Sequence, residues 1–270
     1  MHPRPTFSNW VRDVKQGVQF MTEFSQDPSH VSTESAFYSG DSVVQRDALA
    51  NPGHYESNIE LLQSKGELGQ LFAVLYEAAV VQEPQLSDVI VHATGSENDP
   101  VLSETGGHAR HAGLTASGQY EISVNTDDGI EHYAKLFETR KQSVLGSAAK
   151  VGIDADVFDP KALAGFIFLH ELGHIDDYMR NVPNLADHIE RRKKEMSTLP
   201  IPGLSPVSLT KLLLTPKGQQ WFMKAAPALE VNFGVSSPSQ LLSLQDEKYR
   251  SLPTEDGPDR FAARILKPFL

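Results

Sequence analysis

The feature that most constrains this chain is a His-Glu-x-x-His pentad that follows an apolar segment. His170 and His174 are four residues apart, so on a helix their imidazoles lie on the same face and can converge on one ion. Glu171 lies about 100° around from His170, within reach of a water in an open coordination position of that ion. Zn²⁺ lowers the pKa of bound water to about 7, so a carboxylate beside it can act as a general base. The pentad therefore predicts a zinc hydrolase with His170 and His174 as ligands and Glu171 as the catalytic base.

The residues before the pentad predict a buried helix. Asp159 is a typical N-cap, Pro160 suits the first helical position, and residues 162–169 are apolar or small. A helix that is apolar nearly all round is a buried one. Buried polar groups without partners cost about 1–3 kcal/mol each, and zinc would partner them. The alternative is a pair of hydrogen-bonded core histidines beside a solvated glutamate.

The third zinc ligand must come from elsewhere, because catalytic zinc sites usually have three protein ligands and one open position. The metzincin extension is excluded, since Asp177 and Arg180 occupy the positions where that motif requires Gly and His. A carboxylate further downstream is expected instead.

A second motif near the C-terminus resembles that of known metallopeptidases. The Glu255-x-x-x-Asp259 spacing followed by Phe261-Ala262 is similar to the second motif of gluzincin-type enzymes. It resembles in particular the compact prokaryotic peptidases of phage-immunity and stress-response systems. The resemblance implies that Glu255 is the third zinc ligand and that Asp259 orients a ligand histidine without itself binding the metal.

The chain departs from this family pattern in two ways. Asp256-Gly257-Pro258 stands where relatives have helix-forming residues, so the helix is predicted to begin near Gly257 with Asp256 as its cap. Glu255 would then reach the metal from a turn. The long interval between the two motifs also predicts a helical insertion at about 195–245.

Other acidic residues compete for the ligand role. Glu230 lies among apolar residues, and a buried carboxylate requires a cation. Glu190 and Glu195 belong to a charged run that is typical of a solvated helix face. The choice between Glu255 and Glu230 stays open at this stage.

A hydrogen-bond donor for the developing oxyanion is also expected. Tyr249 is favoured because it lies close to Glu255 in the sequence. Tyr178, His188 and Arg260 are the alternatives.

Two strand-like segments precede the metal helix, at 88–92 and at Tyr120–Asn125, the second alternating polar and apolar residues. We expect Tyr120–Asn125 to be either an ordinary half-buried strand or an edge strand that pairs with an extended substrate. The glycine-rich stretch 106–118 between them is predicted to be a mobile loop. Its His108-x-x-His111 pair is a weaker candidate for a second metal site.

The sequence predicts an α+β, zincin-like fold in which a small, mostly antiparallel sheet packs on helices with the pentad helix buried. A helix at 9–24 and a loosely structured arm are expected to make up residues 1–55. Residues 56–270 are expected to form the catalytic domain, with a further helix at about 67–81.

Composition narrows the classes of partner and compartment. The net charge of −11 argues against binding nucleic acid or anionic membranes, which attract basic patches. The chain contains no cysteine, which excludes disulfides and thiolate ligands and fits a reducing compartment. Neither a transmembrane run nor a secretory signal is found in the sequence. We expect a cytoplasmic location.

The predicted function is zinc-dependent endopeptidase activity on a protein or peptide. The alternative is a regulatory or binding protein whose zinc site is structural or catalytically idle, and a third possibility is hydrolysis of a non-peptide amide. Glu171 favours an enzyme, because a structural zinc site has no use for a general base.

Overall fold

The computed structural model describes residues 53–270, apart from the side chain of Gln142. The predicted N-terminal helix and the arm up to residue 52 lie outside the described residues. In chain order the elements are α1 Tyr55–Gln63, α2 Gly66–Gln82, β1 Ile90–Thr94, α3 Leu102–Thr105, β2 Gly107–Arg110, β3 Glu121–Asn125, α4 Gly129–Thr139, α5 Lys141–Lys150, α6 Pro160–Asn181, α7 Leu185–Met196, α8 Pro206–Leu214, α9 Pro216–Phe233, α10 Pro238–Tyr249 and α11 Pro253–Leu266.

The helices whose apolar pattern was clearest in the sequence form where predicted. The helix expected at 67–81 is α2. Helix α6 begins with Pro160, and the Asp159 carboxylate accepts a hydrogen bond from the backbone N–H of Ala162 at 2.8 Å. This cap satisfies one of the donors that a helix start leaves unpaired. The α+β class is confirmed.

The sheet is mixed rather than mostly antiparallel. Its strand order is β1-β3-β2, and β3 runs parallel to β1 but antiparallel to β2. The connection from β1 to β2 is long and passes through α3, so β2 does not pair with β1. Strand β3 lies between them. One parallel and one antiparallel pairing result.

The prediction that Tyr120–Asn125 could be a substrate-binding edge strand is wrong. Strand β3 is central, and all five of its residues are buried. Both of its hydrogen-bonding sides are paired, so it has no free edge for a peptide. The two edge positions belong to β1 and to β2, and β2 comes from the stretch predicted to be a loop.

The chain divides into two compact units. In the described part, the main unit consists of residues 53–190 and 253–270, and the helical unit consists of residues 191–252. The core of the main unit includes residues from α2, α4, α6, α11 and the sheet, with Phe72 stacked on Phe168 at 4.8 Å between ring centroids. The helical unit has its own core around Leu209, Phe222 and Leu241. Every helix within 53–270 is too short or too polar to span a bilayer.

Candidate metal centre

Helix α6 carries the whole pentad. His170 is 7% exposed, and its ring centroid lies 4.6 Å from that of His174 with the two planes at 90°. This placement follows from the helical repeat, which stacks residues four apart. The two rings are therefore positioned to share one ligand.

Helix α11 supplies the carboxylates, and it starts earlier than predicted. It begins at Pro253, so Glu255 lies in its first turn and Asp259 one turn later on the same face. Pro253 suits the helix start because the N–H that it lacks would have no helical partner there. The expected cap, Asp256, instead forms ion pairs with Lys150 and Arg260, each at 2.7 Å. Glu255 thus reaches the site from a helix and not from a turn.

The ligand atoms converge. Oε2 of Glu255 lies 3.5 Å from Nε2 of His170 and 3.9 Å from Nε2 of His174. One donor atom from each residue lies within 4.8 Å of the other two. This group could hold a metal ion, and no other group of three such residues does so within the described chain.

Asp259 contacts Nδ1 of His170, the ring nitrogen that does not face Glu255. Its Oδ1 atom lies 2.8 Å from Nδ1 of His170, and the Asp259 side chain is fully buried. A carboxylate at Nδ1 fixes the ring orientation and leaves Nε2 facing the shared space. The structure therefore brings Asp259 to the place that the resemblance implied.

The electrostatics of the site favour a positive charge. Burial by itself lowers the pKa of His170, but the hydrogen bonds to Asp259 and Glu255 outweigh it and raise that pKa to about 10. Glu255 is 4% exposed and Asp259 0%, and buried carboxylates are costly unless a cation compensates them. Without a metal, a proton on His170 supplies that charge. The donor set thus fits a cation in the space between the ligand atoms.

Two glycines allow close approach to α6. A Cβ atom at Gly173, inside the pentad, would lie 2.8 Å from Cα of Pro258 on α11. A Cβ atom at Gly107, on β2, would lie 3.1 Å from Cγ of Glu171. Sequence reasoning missed both roles, although a glycine in the middle of an apolar helix is itself a signal of a close contact.

None of the competing ligand candidates belongs to the group that could hold a metal in the described chain. Glu230 is exposed on α9 in the helical unit, so the argument for a buried carboxylate there does not hold. Glu190 is exposed, and Glu195 pairs with Arg191 at 3.1 Å. Asp177 accepts a hydrogen bond from the side-chain amide of Asn181 at 2.7 Å.

Among the candidate oxyanion donors, Tyr178 is the one next to a ligand. Its ring stacks on His174 at 5.9 Å, and His188 packs against it at 4.6 Å. Tyr249 belongs to the helical unit, where its hydroxyl accepts a hydrogen bond from Arg192 at 2.7 Å. Arg260 is largely exposed and pairs with Asp256.

The His108-x-x-His111 pair does not form a joint site, and the loop prediction for 107–110 is wrong because these residues form β2. His108 lies 2.7 Å from Asp99. His111 is buried; its Nε2 lies 2.9 Å from the carbonyl of Val182, and its Nδ1 accepts a hydrogen bond from Gly113 N–H. The two rings thus serve different partners.

Comparison with family models, curated proteins and solved structures found no match to this chain.

Proposed function

We propose that this protein is a zinc-dependent metallopeptidase in which His170, His174 and Glu255 bind the ion and Glu171 is the general base. The observation that carries the proposal is the meeting of α6 and α11, which brings Glu255 to the pentad histidines. The gluzincin-like Glu255-x-x-x-Asp259 spacing within the second motif supports the same assignment.

The donor set suits zinc. Two imidazole nitrogens and one carboxylate oxygen are a common set for a catalytic zinc ion with one open position. Bound there, zinc would lower the pKa of a coordinated water to about 7 and polarise a substrate carbonyl. Asp259 would keep His170 in the orientation and tautomer that a ligand requires.

The remaining residues account for the proton transfers. Glu171 takes the proton from the attacking water and later returns it to the amine of the leaving group. It is half-buried, so solvent can still reach the site. Tyr178, one turn beyond His174, is assigned as the donor to the developing oxyanion.

Strand β2 offers a place for an extended peptide. Within the described chain it pairs with β3 alone. The register pairs His108 with Ser123, and the carbonyl of Gly106 accepts from Asn125 N–H. Because such pairs alternate along an antiparallel ladder, Gly107 and Ala109 direct their backbone N–H and C=O groups away from β3. We propose that the substrate adds there as a strand, beside Glu171.

The test uses the Glu171→Gln variant with a quenched-fluorescent peptide library as substrate. The amide keeps the shape of the side chain but cannot accept the proton, so cleavage is expected to fall by about 10²–10⁴-fold with zinc content unchanged. Glu131→Gln, which alters an exposed glutamate of α4, is the matched control and should cleave like the wild type.

Two outcomes would count against the proposal. Undiminished cleavage by Glu171→Gln would remove Glu171 as the base. Zinc binding by a wild-type protein that cleaves no library member would support the alternative of a binding protein with an idle site.

A further inference from the structure

The metal helix α6 is in close contact with its neighbours on two sides, each time through a glycine. Gly173 faces α11, which carries Glu255 and Asp259, and Gly107 of β2 faces Glu171. Glycine is the least favourable residue in a helix interior apart from proline. Its presence at position 173 is explained by the space that it leaves for α11.

We propose that these two glycines are positioning residues that set the two halves of the site separately. Gly173 sets how close Glu255 comes to the ligand histidines, and Gly107 sets where the Glu171 carboxylate stands. The inference rests on the proposed function for the metal ligands and for the role of Glu171 in catalysis.

The Gly173 contact is with backbone. A Cβ atom there would lie 2.8 Å from Cα of Pro258 and 3.1 Å from Cβ of Phe261. Neither atom can move by a rotamer change, so α6 and α11 must separate. Along α11, Glu255 precedes these contacts and Asp259 lies between them, so separation carries both carboxylates away from the histidines.

The Gly107 contact is with the catalytic side chain itself. A Cβ atom there would lie 3.0 Å from Cγ2 of Ile167 and 3.1 Å from Cγ of Glu171. Both distances are too short for ordinary contact, so the Glu171 stem must shift by a few tenths of an ångström. Neither contact is with a metal ligand, so this shift leaves the ligands in place.

The experiment compares Gly173→Ala and Gly107→Ala with two controls. Gly165→Ala also introduces a methyl group on a buried position of α6, but its nearest contacts are the flexible ends of Leu75 and Leu266. Gly146→Ala, on α5, meets no atom within 4 Å. Gly165→Ala controls for general loss of stability, and Gly146→Ala controls for the substitution as such.

Zinc affinity, measured by competition with a chromophoric chelator, tests the first half. Gly173→Ala should bind zinc about 10–100-fold more weakly, the size of penalty found when the surroundings of a ligand are disturbed. Gly107→Ala and both controls should stay within about twofold of the wild type. Wild-type affinity in Gly173→Ala would overturn this half.

A variant that fails to fold without metal still gives an answer. Binding to the folded state alone stabilises it, so added ZnCl₂ should restore folding. Gly165→Ala should recover at the zinc concentrations that saturate the wild type, whereas Gly173→Ala should need more. Recovery of both at the same concentration would contradict the proposal.

Two readouts test the second half. In Gly107→Ala, kcat on a cleaved library peptide should fall about 10-fold with KM little changed, because small misplacement of a reacting group is costly. The pH midpoint of the visible spectrum of the Co²⁺-loaded protein should shift in the same direction as in Glu171→Gln, and not in Gly165→Ala. An unmoved midpoint would overturn this half. If the wild type cleaves no peptide, the peptidase proposal fails while the cobalt spectra still decide the role of Gly107.

Discussion

Replacement of Asp259 by asparagine tests the architecture of the site most directly. The Asp259 carboxylate is fully buried and lies 2.8 Å from Nδ1 of His170. Asparagine has nearly the same shape and can still accept a hydrogen bond from the ring, but it removes the negative charge. The variant therefore isolates the electrostatic contribution of one group behind a metal ligand.

The structure sets both the size and the pH dependence of the effect. In the metal-free protein the pKa of His170 is raised to about 10, so zinc must displace a proton at neutral pH. Apparent zinc affinity of the wild type should rise by about tenfold per pH unit from pH 7 to pH 9, because the metal competes with that proton. In Asp259→Asn the pKa of His170 falls, since burial lowers it and one of the opposing hydrogen bonds loses its charge. The apparent zinc affinity of Asp259→Asn should therefore stop rising at a lower pH than that of the wild type.

The affinities are best compared at pH 9, where protons compete least. There Asp259→Asn should bind zinc about 10–100-fold more weakly, which corresponds to about 1.4–2.8 kcal/mol. The assay is a chelator competition titration repeated at several pH values. Asp256→Asn is the matched control, because Asp256 lies on the same helix but pairs with Lys150 and Arg260 outside the site.

Wild-type affinity together with a wild-type pH dependence in Asp259→Asn would refute the reasoning. It would mean that the carboxylate behind His170 serves packing alone. A similar loss in Asp256→Asn would instead point to a general electrostatic effect of removing one negative charge from α11.

Further predictions concern the ligands and the oxyanion donor. Glu255→Ala and His174→Ala should lose bound zinc on dialysis. Glu230→Ala should retain about one ion per chain by elemental analysis, because Glu230 is exposed in the helical unit. The reverse pattern would transfer the ligand role to Glu230. Tyr178→Phe should lower kcat by about 10²–10³-fold with zinc retained. Tyr249→Phe should leave kcat unchanged because its hydroxyl is engaged by Arg192, and a larger loss in Tyr249→Phe than in Tyr178→Phe would reverse that assignment.

Local patterns in the sequence were sufficient for the parts of the site that depend on one helix. The pairing of His170 with His174 follows from the helical repeat, and Asp159 with Pro160 marks where that helix begins. The long apolar run correctly indicated burial of α6. These features need no knowledge of the rest of the chain, because their spacing is set by backbone geometry.

The second motif shows where such patterns fail. The spacing of Glu255 and Asp259 suggested their roles, but Gly257 and Pro258 wrongly indicated a later helix start. In the folded protein α11 packs closely against α6, with Pro258 opposite Gly173. Tertiary packing outweighs the low helix propensities of Gly257 and Pro258.

Only the tertiary structure decided which distant residues accompany the pentad. Short strands carry little local signal, so β2 was taken for a loop and β3 for a possible edge. Nearness in sequence to Glu255 favoured Tyr249, yet in the structure its hydroxyl accepts a hydrogen bond from Arg192, 57 residues away. The close contacts at Gly107 and Gly173 join segments far apart in the chain. Such contacts depend on how whole elements pack, which residue spacing within any one element does not specify.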